Sequence, residues 1–569
     1  MKDKLEFYNV LRDIDGKDFS EYSRLIGDYD FTRFVVRISQ VPQTPEDDRV
    51  VLTLRVSQAI AGFPAHTFST PIRRTGLEDL LARKLSDYLE SMMRFNAEGV
   101  AYRRIDMPRP GQKILPRSLL TVSEEMIEVR LQVRFPIRRG RVASEGCIDA
   151  FFADMPELVN NALLYCNLDP VAVDAFVGLM EDADRIRAQL PTRGLIAFAA
   201  EGALVRRAGG TDLPDYDFDR PLEIDPSLVI DMEVPNAGSI RGLGVHNGIT
   251  LILGDDTSGR NELMRALGAG VYNHIPGDGR EYIVTMPDAV YIAADRGRSV
   301  QQVDVRPFLQ DAGAHPEAYT SSHADACLAQ AASTVEAMEL GARALLFDEQ
   351  DSYPGFLAQD RRLLDLAGQA SWSTVPMAQW ARRMCDELGL SIVVAGNACI
   401  AEFIPVADTI LCLQDFRITD ITEKAKAAGI AASPQAEGPS LLAFTERSRW
   451  LIPSSIDASS GRDDCVIRTT ASRRLQFGKH ELDLEQIVQV GDDSQVGTIG
   501  LILEYGRHHY LDEPRPIREL MDLIDRDLST QGLSCLSTDL HHDLARPRRY
   551  EIAAVLNRLP SLRVARIES

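Results

Sequence analysis

The chain has 569 residues, too many for one compact core, which sets an expectation of two to four domains. Hydrophobic residues make up 45% and charged residues 26%, the balance of a soluble globular protein, and 62 basic against 84 acidic side chains leave a net charge of −22. That charge excludes a chain whose whole surface attracts nucleic acid or anionic membrane, while leaving room for a local basic stripe. No apolar run approaches the length of a membrane-spanning helix, so no membrane association is expected. The first 22 residues lack the apolar segment of a secretory leader. Eight scattered cysteines form no C-x-x-C pair, which argues against both a disulfide framework and a zinc site. A cytoplasmic, multi-domain, acidic protein is the expectation.

In chain order, residues 78–93 place apolar side chains at i, i+3, i+4 and i+7, predicting an amphipathic helix. Residues 126–136 alternate Ile127, Val129, Leu131, Val133 and Phe135, predicting a half-buried strand, and two further helices are expected between about 150 and 190. Between about 195 and 425 short apolar runs alternate with helical ones: LIAFAA, GITLILG, YIVTM, AVYIAA, ALLFDE, LSIVVAG and TILCL. Runs of this kind suit strands covered on both faces of a parallel sheet. The fold class expected is therefore α/β. Residues 1–190 are read as a mixed α+β N-terminal domain and 191–431 as the core. A Pro-, Gly- and Ser-rich linker follows at 432–463, then a mainly helical C-terminal domain at 464–569, with helices near 485–505, 514–528 and 549–558.

Within that core, a strand ending at Leu253 runs into Gly254-x-x-x-x-Gly259 and a helix, the context in which backbone N–H groups cradle phosphates. In a working loop of this type the second glycine precedes Lys and then Ser or Thr; here Arg260, Asn261 and Glu262 follow. Arginine keeps the charge but its planar guanidinium fits a tight phosphate nest poorly. Asn261 could offer an amide oxygen to Mg²⁺ but supplies no hydroxyl. Asp255, Asp256 and Glu262 place three carboxylates along the phosphate path. Gly254, Asp255, Asp256, Thr257, Ser258, Gly259, Arg260, Asn261 and Glu262 are the candidate contacts for ATP; the bland alternative is a glycine-containing turn without a ligand. About ninety residues on, a buried strand ends in Asp348-Glu349. Asp348 would hold Mg²⁺ and Glu349 would orient or deprotonate an attacking water.

The strings GVYNHIPGDGREYIVT (270–285), GRSVQQVDVRPFL (297–309), ARALLFDEQDSYPGFLAQD (342–360) and VADTILCLQDFRITDITEKAKA (406–427) give this chain a resemblance to a known family. It resembles the predicted ABC-class ATPases that include a kinetoplastid mitochondrial RNA-editing protein. LRDIDGKDFSEYSRLIGDYDF (11–31), MPELVNNALLYCNLD (155–169) and LARPRRYEIAAVLNRL (544–559) extend the likeness over nearly the whole chain. The resemblance implies an ABC-type nucleotide-binding core between N- and C-terminal domains peculiar to the family. It also implies a homodimer in which two cores sandwich ATP, each lending a signature loop to the other.

This sequence departs from that pattern. The family's lysine and serine are replaced by Arg260 and Asn261, and the stretch matching the signature, Asp325-Ala326-Cys327-Leu328-Ala329-Gln330, lacks its Gly and Ser. Gln350-Asp351-Ser352-Tyr353-Pro354-Gly355 after the acidic pair and Gly396-Asn397-Ala398-Cys399 after the next strand are altered as well. Two readings follow: a nucleotide-dependent switch with weak or no hydrolysis, and a non-catalytic pseudo-ATPase scaffold that binds RNA, DNA or a protein. Family members have been linked to nucleic acid, and Arg138, Arg139, Arg141, Arg546, Arg548 and Arg549 are the arginines that could contact it. The pairs His508-His509 and His541-His542 point apart on either a helix or a strand and do not suggest a metal site. His274 is expected to fix a loop.

Overall fold

The alternating residues Ile127, Val129, Leu131 and Val133 become the fully buried face of the strand Met126–Arg134. It pairs antiparallel with Arg49–Ser57 over nine residues, from Met126↔Ser57 to Arg134↔Arg49. Such a register is fixed because a slip of one residue would turn the apolar set to water. The structure, a computed structural model, describes residues 1–95, 101–218, 220–309, 315–359, 374–397, 400–430, 435, 436, 441, 448–463, 465–536 and 543–565. Two compact units emerge, Met1–Glu181 with Leu533–Arg546, and Asp182–Gly532 with Pro547–Ser569. Residues 398, 399, 541 and 542, and most of 432–447, lie outside the described residues. Cys399 and the pair His541-His542 therefore receive no structural account.

In the first unit the strand pair belongs to a seven-stranded sheet packed under an aromatic cluster, with Phe7 at 4.7 Å from both Tyr29 and Phe151. The expected helix at 78–93 runs earlier, Pro71–Ser91: the Thr70 hydroxyl accepts from the Arg73 N–H and Pro71 opens the first turn. Glu78 on this helix accepts the Val122 N–H at 2.8 Å. Burial pushes its carboxyl up to about 7 from a usual 4.5. Folding thus raises its proton affinity, so the ionised form costs stability above that pH, and the cost fades as pH falls toward the unfolded value. Glu78→Gln is expected to stabilise the chain by about 1–2 kcal/mol at pH 8.5 and by almost nothing at pH 4.5, read by urea denaturation at both pH values. Equal effects at both would contradict the assignment.

The second unit is built on a seven-stranded sheet in the order Glu223–Ile224, Arg417–Asp420, Thr409–Gln414, Ile249–Leu253, Ser391–Gly396, Ala344–Asp348 and Ala289–Tyr291. The five from Thr409–Gln414 onward are parallel. Leu253 lies opposite Gly396 and Asp348 opposite Ala395, so the phosphate-loop strand and the acidic-pair strand end at one edge of the sheet. In open α/β sheets that edge is where ligands bind. Leu251, Phe347 and Val394 share a buried cluster with Ala329, Val335, Trp380 and Ala381 of the helices Ala326–Glu339 and Met377–Leu388.

Two of the seven apolar runs do not join this sheet. Leu195–Ala200 and Ile283–Thr285 belong to a four-stranded antiparallel sheet with Val229–Val234 and Gly238–His246. A strand buried on both faces reads as a continuous apolar run whichever way its neighbours point. Close to the C-terminus, Ile467–Ala471, Arg474–Phe477 and His480–Asp483 form a three-stranded sheet that the helical reading of this region did not include. Its polar strands bury only Leu475, Phe477 and Leu482, too few apolar residues to mark a period. Helices Asp493–Tyr510, Ile517–Gln531 and Arg549–Leu556 follow, the first capped by the Asp492 carboxylate.

Candidate phosphate-loop site

Ile249–Leu253 delivers the chain into the loop at Gly254, where a Cβ would stand 2.4 Å from the Ser258 Oγ and 2.8 Å from the Leu413 carbonyl oxygen. The loop closes on itself. The Asp255 carboxylate accepts from the Thr257 N–H and hydroxyl, both at 2.9 Å, and the Ser258 hydroxyl donates to the Asp255 carbonyl at 2.7 Å. The Thr257 hydroxyl, then its N–H, hold the Asp255 carboxyl below the usual range. At Gly259 the backbone takes φ 92°, a region closed to most side chains. A Cβ there would also lie 2.5 Å from the Phe416 ring.

Phe416 is a contact the sequence reading missed. It sits at the turn Asp415-Phe416 joining Thr409–Gln414 to Arg417–Asp420, and both turn residues have positive φ, 50° and 65°. Its ring is buried and its N–H donates to the Ser258 carbonyl at 2.9 Å. A two-residue hairpin turn of this hand usually takes Asn or Gly, and the aromatic tolerates it because the ring packs over Gly259. The available signal was the spacing TILCL-QDF-RITD, two apolar runs separated by a tight turn.

Arg260 follows as the first residue of the helix Arg260–Ala269 and is only 1% exposed. Its side chain folds back into the loop. Nη1 donates to the Gly254 carbonyl at 2.7 Å, Nε and Nη2 donate to the Asn261 Oδ1 at 3.1 and 2.8 Å, and Nη2 reaches the Asp256 Oδ1 at 3.3 Å. A guanidinium carries five N–H donors, and four are committed to the loop itself. Asn261, expected to offer its amide oxygen to Mg²⁺, gives that oxygen to Arg260 instead. Glu262 occupies the next position, and its Oε2 is buried without a hydrogen-bond partner among the described residues.

Asp348 ends Ala344–Asp348 at 1% exposure. Its Oδ1 accepts the Gln350 N–H at 3.0 Å, while Oδ2 is buried with no partner among the described residues. Burial pushes this carboxyl up to about 6; the Gln350 N–H and the charge of Arg260 oppose the rise. Glu349, half-buried, accepts the Asn397 N–H, and a Cβ on Gly396 would meet its Oε2 at 2.5 Å. Asp351 is tied to Arg265 and to the Tyr291 hydroxyl, each at 2.6 Å. Burial, and then the Asp351 charge, lift the Tyr291 phenol well above its ordinary value.

The stretch matching the signature forms the start of Ala326–Glu339. There the Asp325 carboxylate accepts from the Cys327 and Leu328 N–H groups at 2.9 and 3.1 Å, so it takes helix-end donors that an anion would otherwise use. Gln330, fully buried, donates to the Ser352 hydroxyl and accepts the Tyr353 N–H, both at 2.9 Å, joining this helix to the segment after the acidic pair.

Family models cover nearly all of the chain: an ABC-class ATPase P-loop domain matches residues 170–444, an ATPase of the ABC class N-terminal domain matches 5–166, and the MRB1590 C-terminal domain matches 466–565. The chain belongs to the ABC-class ATPase family. An uncharacterized protein of Methanocaldococcus jannaschii, MJ1628, is 30% identical over 152 residues, a match covering 23% of this chain and 33% of that protein. The chain thus spans about a third of that relative's length. The solved structure of cbiO1 from Clostridium perfringens, part of the ABC transporter complex cbiONQ, aligns with 41% of this chain and 91% of its own at 11% identity and a TM-score of 0.24.

The arginines singled out for nucleic acid fall in different settings within this ABC-class chain. Arg138, Arg139 and Arg141 are exposed on a hairpin whose turn residues Arg139 and Gly140 both have positive φ. Arg138 and Arg141 line a cavity of about 1000 Å³ together with Arg49, Arg104 and Arg134, and with Asp15, Asp48 and Asp149. The Arg546 N–H donates to the Pro116 carbonyl at 2.9 Å. Arg549 pairs with Asp522 at 2.7 Å. Arg548 points inward: it pairs with Glu551 at 2.6 Å and donates to the carbonyls of Pro287 and Ala289. His508 pairs with Glu504 at 2.8 Å and His509 stacks on Tyr505, whereas His274 and Asp278 form a fully buried pair at 2.7 Å that fixes its loop. Among the described residues no group of three or more His, Cys, Asp or Glu could hold a metal ion, and no helix is long and apolar enough to cross a membrane.

Proposed function

We propose that this chain is an ABC-class pseudo-ATPase, a scaffold that keeps the fold, admits nucleotide weakly and does not turn it over. The observation that carries this reading is the guanidinium of Arg260, buried inside its own phosphate loop on the Gly254 carbonyl, Asn261 and Asp256. A phosphate entering the loop meets a cation whose donors are already engaged and must displace these bonds to gain its own. ATP phosphates do not fit the loop as it stands. Asp325 adds to the case, since a carboxylate at the signature position repels a γ-phosphate. Asp348 and Glu349 keep the acidic pair that in a working site would hold Mg²⁺ and orient water, but here the bare Oδ2 of Asp348 lies in the field of Arg260. As partner we propose RNA, met by the exposed hairpin of Arg138, Arg139 and Arg141, with a homodimer as the assembly. The family likeness and the exposure of those three arginines support it, and the setting of Arg548 removes that residue from the contact set.

Glu349→Gln supplies the test. In a hydrolysing ABC-class protein this change traps nucleotide and tightens the dimer. Here turnover is expected at background for both chains, with no shift in sedimentation on adding Mg·ATP; a dimer trapped by Glu349→Gln would overturn the reading.

A further inference from the structure

We infer that the guanidinium of Arg260 takes the oxygen donors a Mg²⁺ ion would need beside the phosphate loop, so that this site carries its own cation and takes no metal. The inference rests on the closed-loop reading above and adds a claim about metal. Three oxygens converge on the guanidinium: the Gly254 carbonyl at 2.7 Å, the Asn261 Oδ1 at 2.8 Å and the Asp256 Oδ1 at 3.3 Å. Asn261 occupies the sequence position from which a hydroxyl would ordinarily bind the ion, and its only side-chain oxygen faces Arg260 through two N–H groups. Asp348 supplies a further oxygen, not bonded to the guanidinium. Its Oδ2 is buried and unpartnered, and its carboxylate lies within the field of Arg260. These are hard oxygen donors of the kind that Mg²⁺ prefers. A fixed cation holding these oxygens excludes a divalent ion by charge repulsion and by taking its ligands. Arg in place of Lys and Asn in place of Ser then make joint sense: the guanidinium and the amide oxygen satisfy each other inside the loop.

Removing Arg260 should therefore create a metal site. The test is titration of the purified full-length chain with Mn²⁺ alone, free and bound ion being distinguished by electron paramagnetic resonance. Arg260→Ala is expected to bind one Mn²⁺ at least tenfold more tightly than the unaltered chain, and adding Asp348→Asn should abolish the gain. Circular dichroism establishes that each variant is folded; Arg260→Met, which keeps the stem's packing and lacks the charge, replaces Arg260→Ala if the smaller residue unfolds the loop. The inference is overturned if the unaltered chain binds Mn²⁺ as tightly as the variant, if neither gains, or if the gain survives Asp348→Asn. Because ATP turnover is absent from this experiment, the metal claim and the pseudo-ATPase reading fail separately.

Discussion

Replacing Arg260 by Lys and Asn261 by Ser is expected to raise the affinity for Mg·ATP at least 100-fold over the unaltered chain. Three changes act together. Lysine presents a compact charge on a flexible stem and does not lock onto three loop oxygens at once. Serine returns the small hydroxyl that Asn261 lacks. The room that the guanidinium fills inside the loop is released to a phosphate chain, and the lysine ammonium is free to donate to it. A hundredfold is about 2.7 kcal/mol, modest beside the hydrogen bonds and charge contacts that an open phosphate loop makes. Isothermal titration with and without Mg²⁺ reads the result. A gain that needs the metal supports the account, and an unchanged affinity would show that Arg260 does not obstruct the loop. The Arg260→Lys change alone is expected to give part of the gain, since Asn261 supplies no hydroxyl. Turnover is not expected to return with it, because Asp325 keeps its place at the start of the helix Ala326–Glu339.

The second large effect is on stability. Glu336→Ala is expected to cost about 3–5 kcal/mol, because it strands the buried Arg298. The two side chains are 6% and 2% exposed and meet through Nη2–Oε2 at 2.9 Å and Nη1–Oε1 at 3.3 Å. The guanidinium also donates to the carbonyls of Ser299 and Ala329, which makes four contacts in a buried site. Burial already lowers the proton affinity of Arg298, and Glu336 is the main group that restores it. Urea denaturation followed by circular dichroism checks the size of the loss. A cost below about 1 kcal/mol would mean that water reaches the pair in solution. Glu336→Gln should fall between the two, keeping an acceptor and losing the charge.

This ion pair also shows how much of the fold was legible in the sequence and where legibility stopped. The string GRSVQQVDVRPFL pointed to the family, but nothing in its spacing revealed that Arg298 reaches 38 residues ahead to Glu336. The same holds for NHIPGDGRE. His274 was expected to fix a loop, and it does so against Asp278, with Arg207 joining the same carboxylate at 2.6 Å. The phosphate-loop strand, its glycines and the acidic pair could be placed from sequence, because a continuous apolar run ending in a glycine or an acidic turn is a local signal. Packing against those elements could not. The clamp of Phe416 on Gly259 depends on a hairpin about 160 residues downstream, and the antiparallel sheet around Leu195–Ala200 looks, residue by residue, like a parallel one. At Arg260 the sequence showed a misfit of shape and charge. Only the three-dimensional arrangement turned that misfit into a closed loop, since no spacing tells that the guanidinium folds back onto the Gly254, Asp256 and Asn261 oxygens of its own motif.

Equilibrium binding of Mg·ATP to the unaltered, purified chain tests the closed loop most directly. The account predicts a dissociation constant of about 1 mM or weaker, which is roughly −4 kcal/mol or less of binding free energy, and no change with Asp348→Asn. Micromolar binding that Asp348→Asn abolishes would contradict it, showing that nucleotide and metal displace Arg260 readily and that the site works as an open phosphate loop.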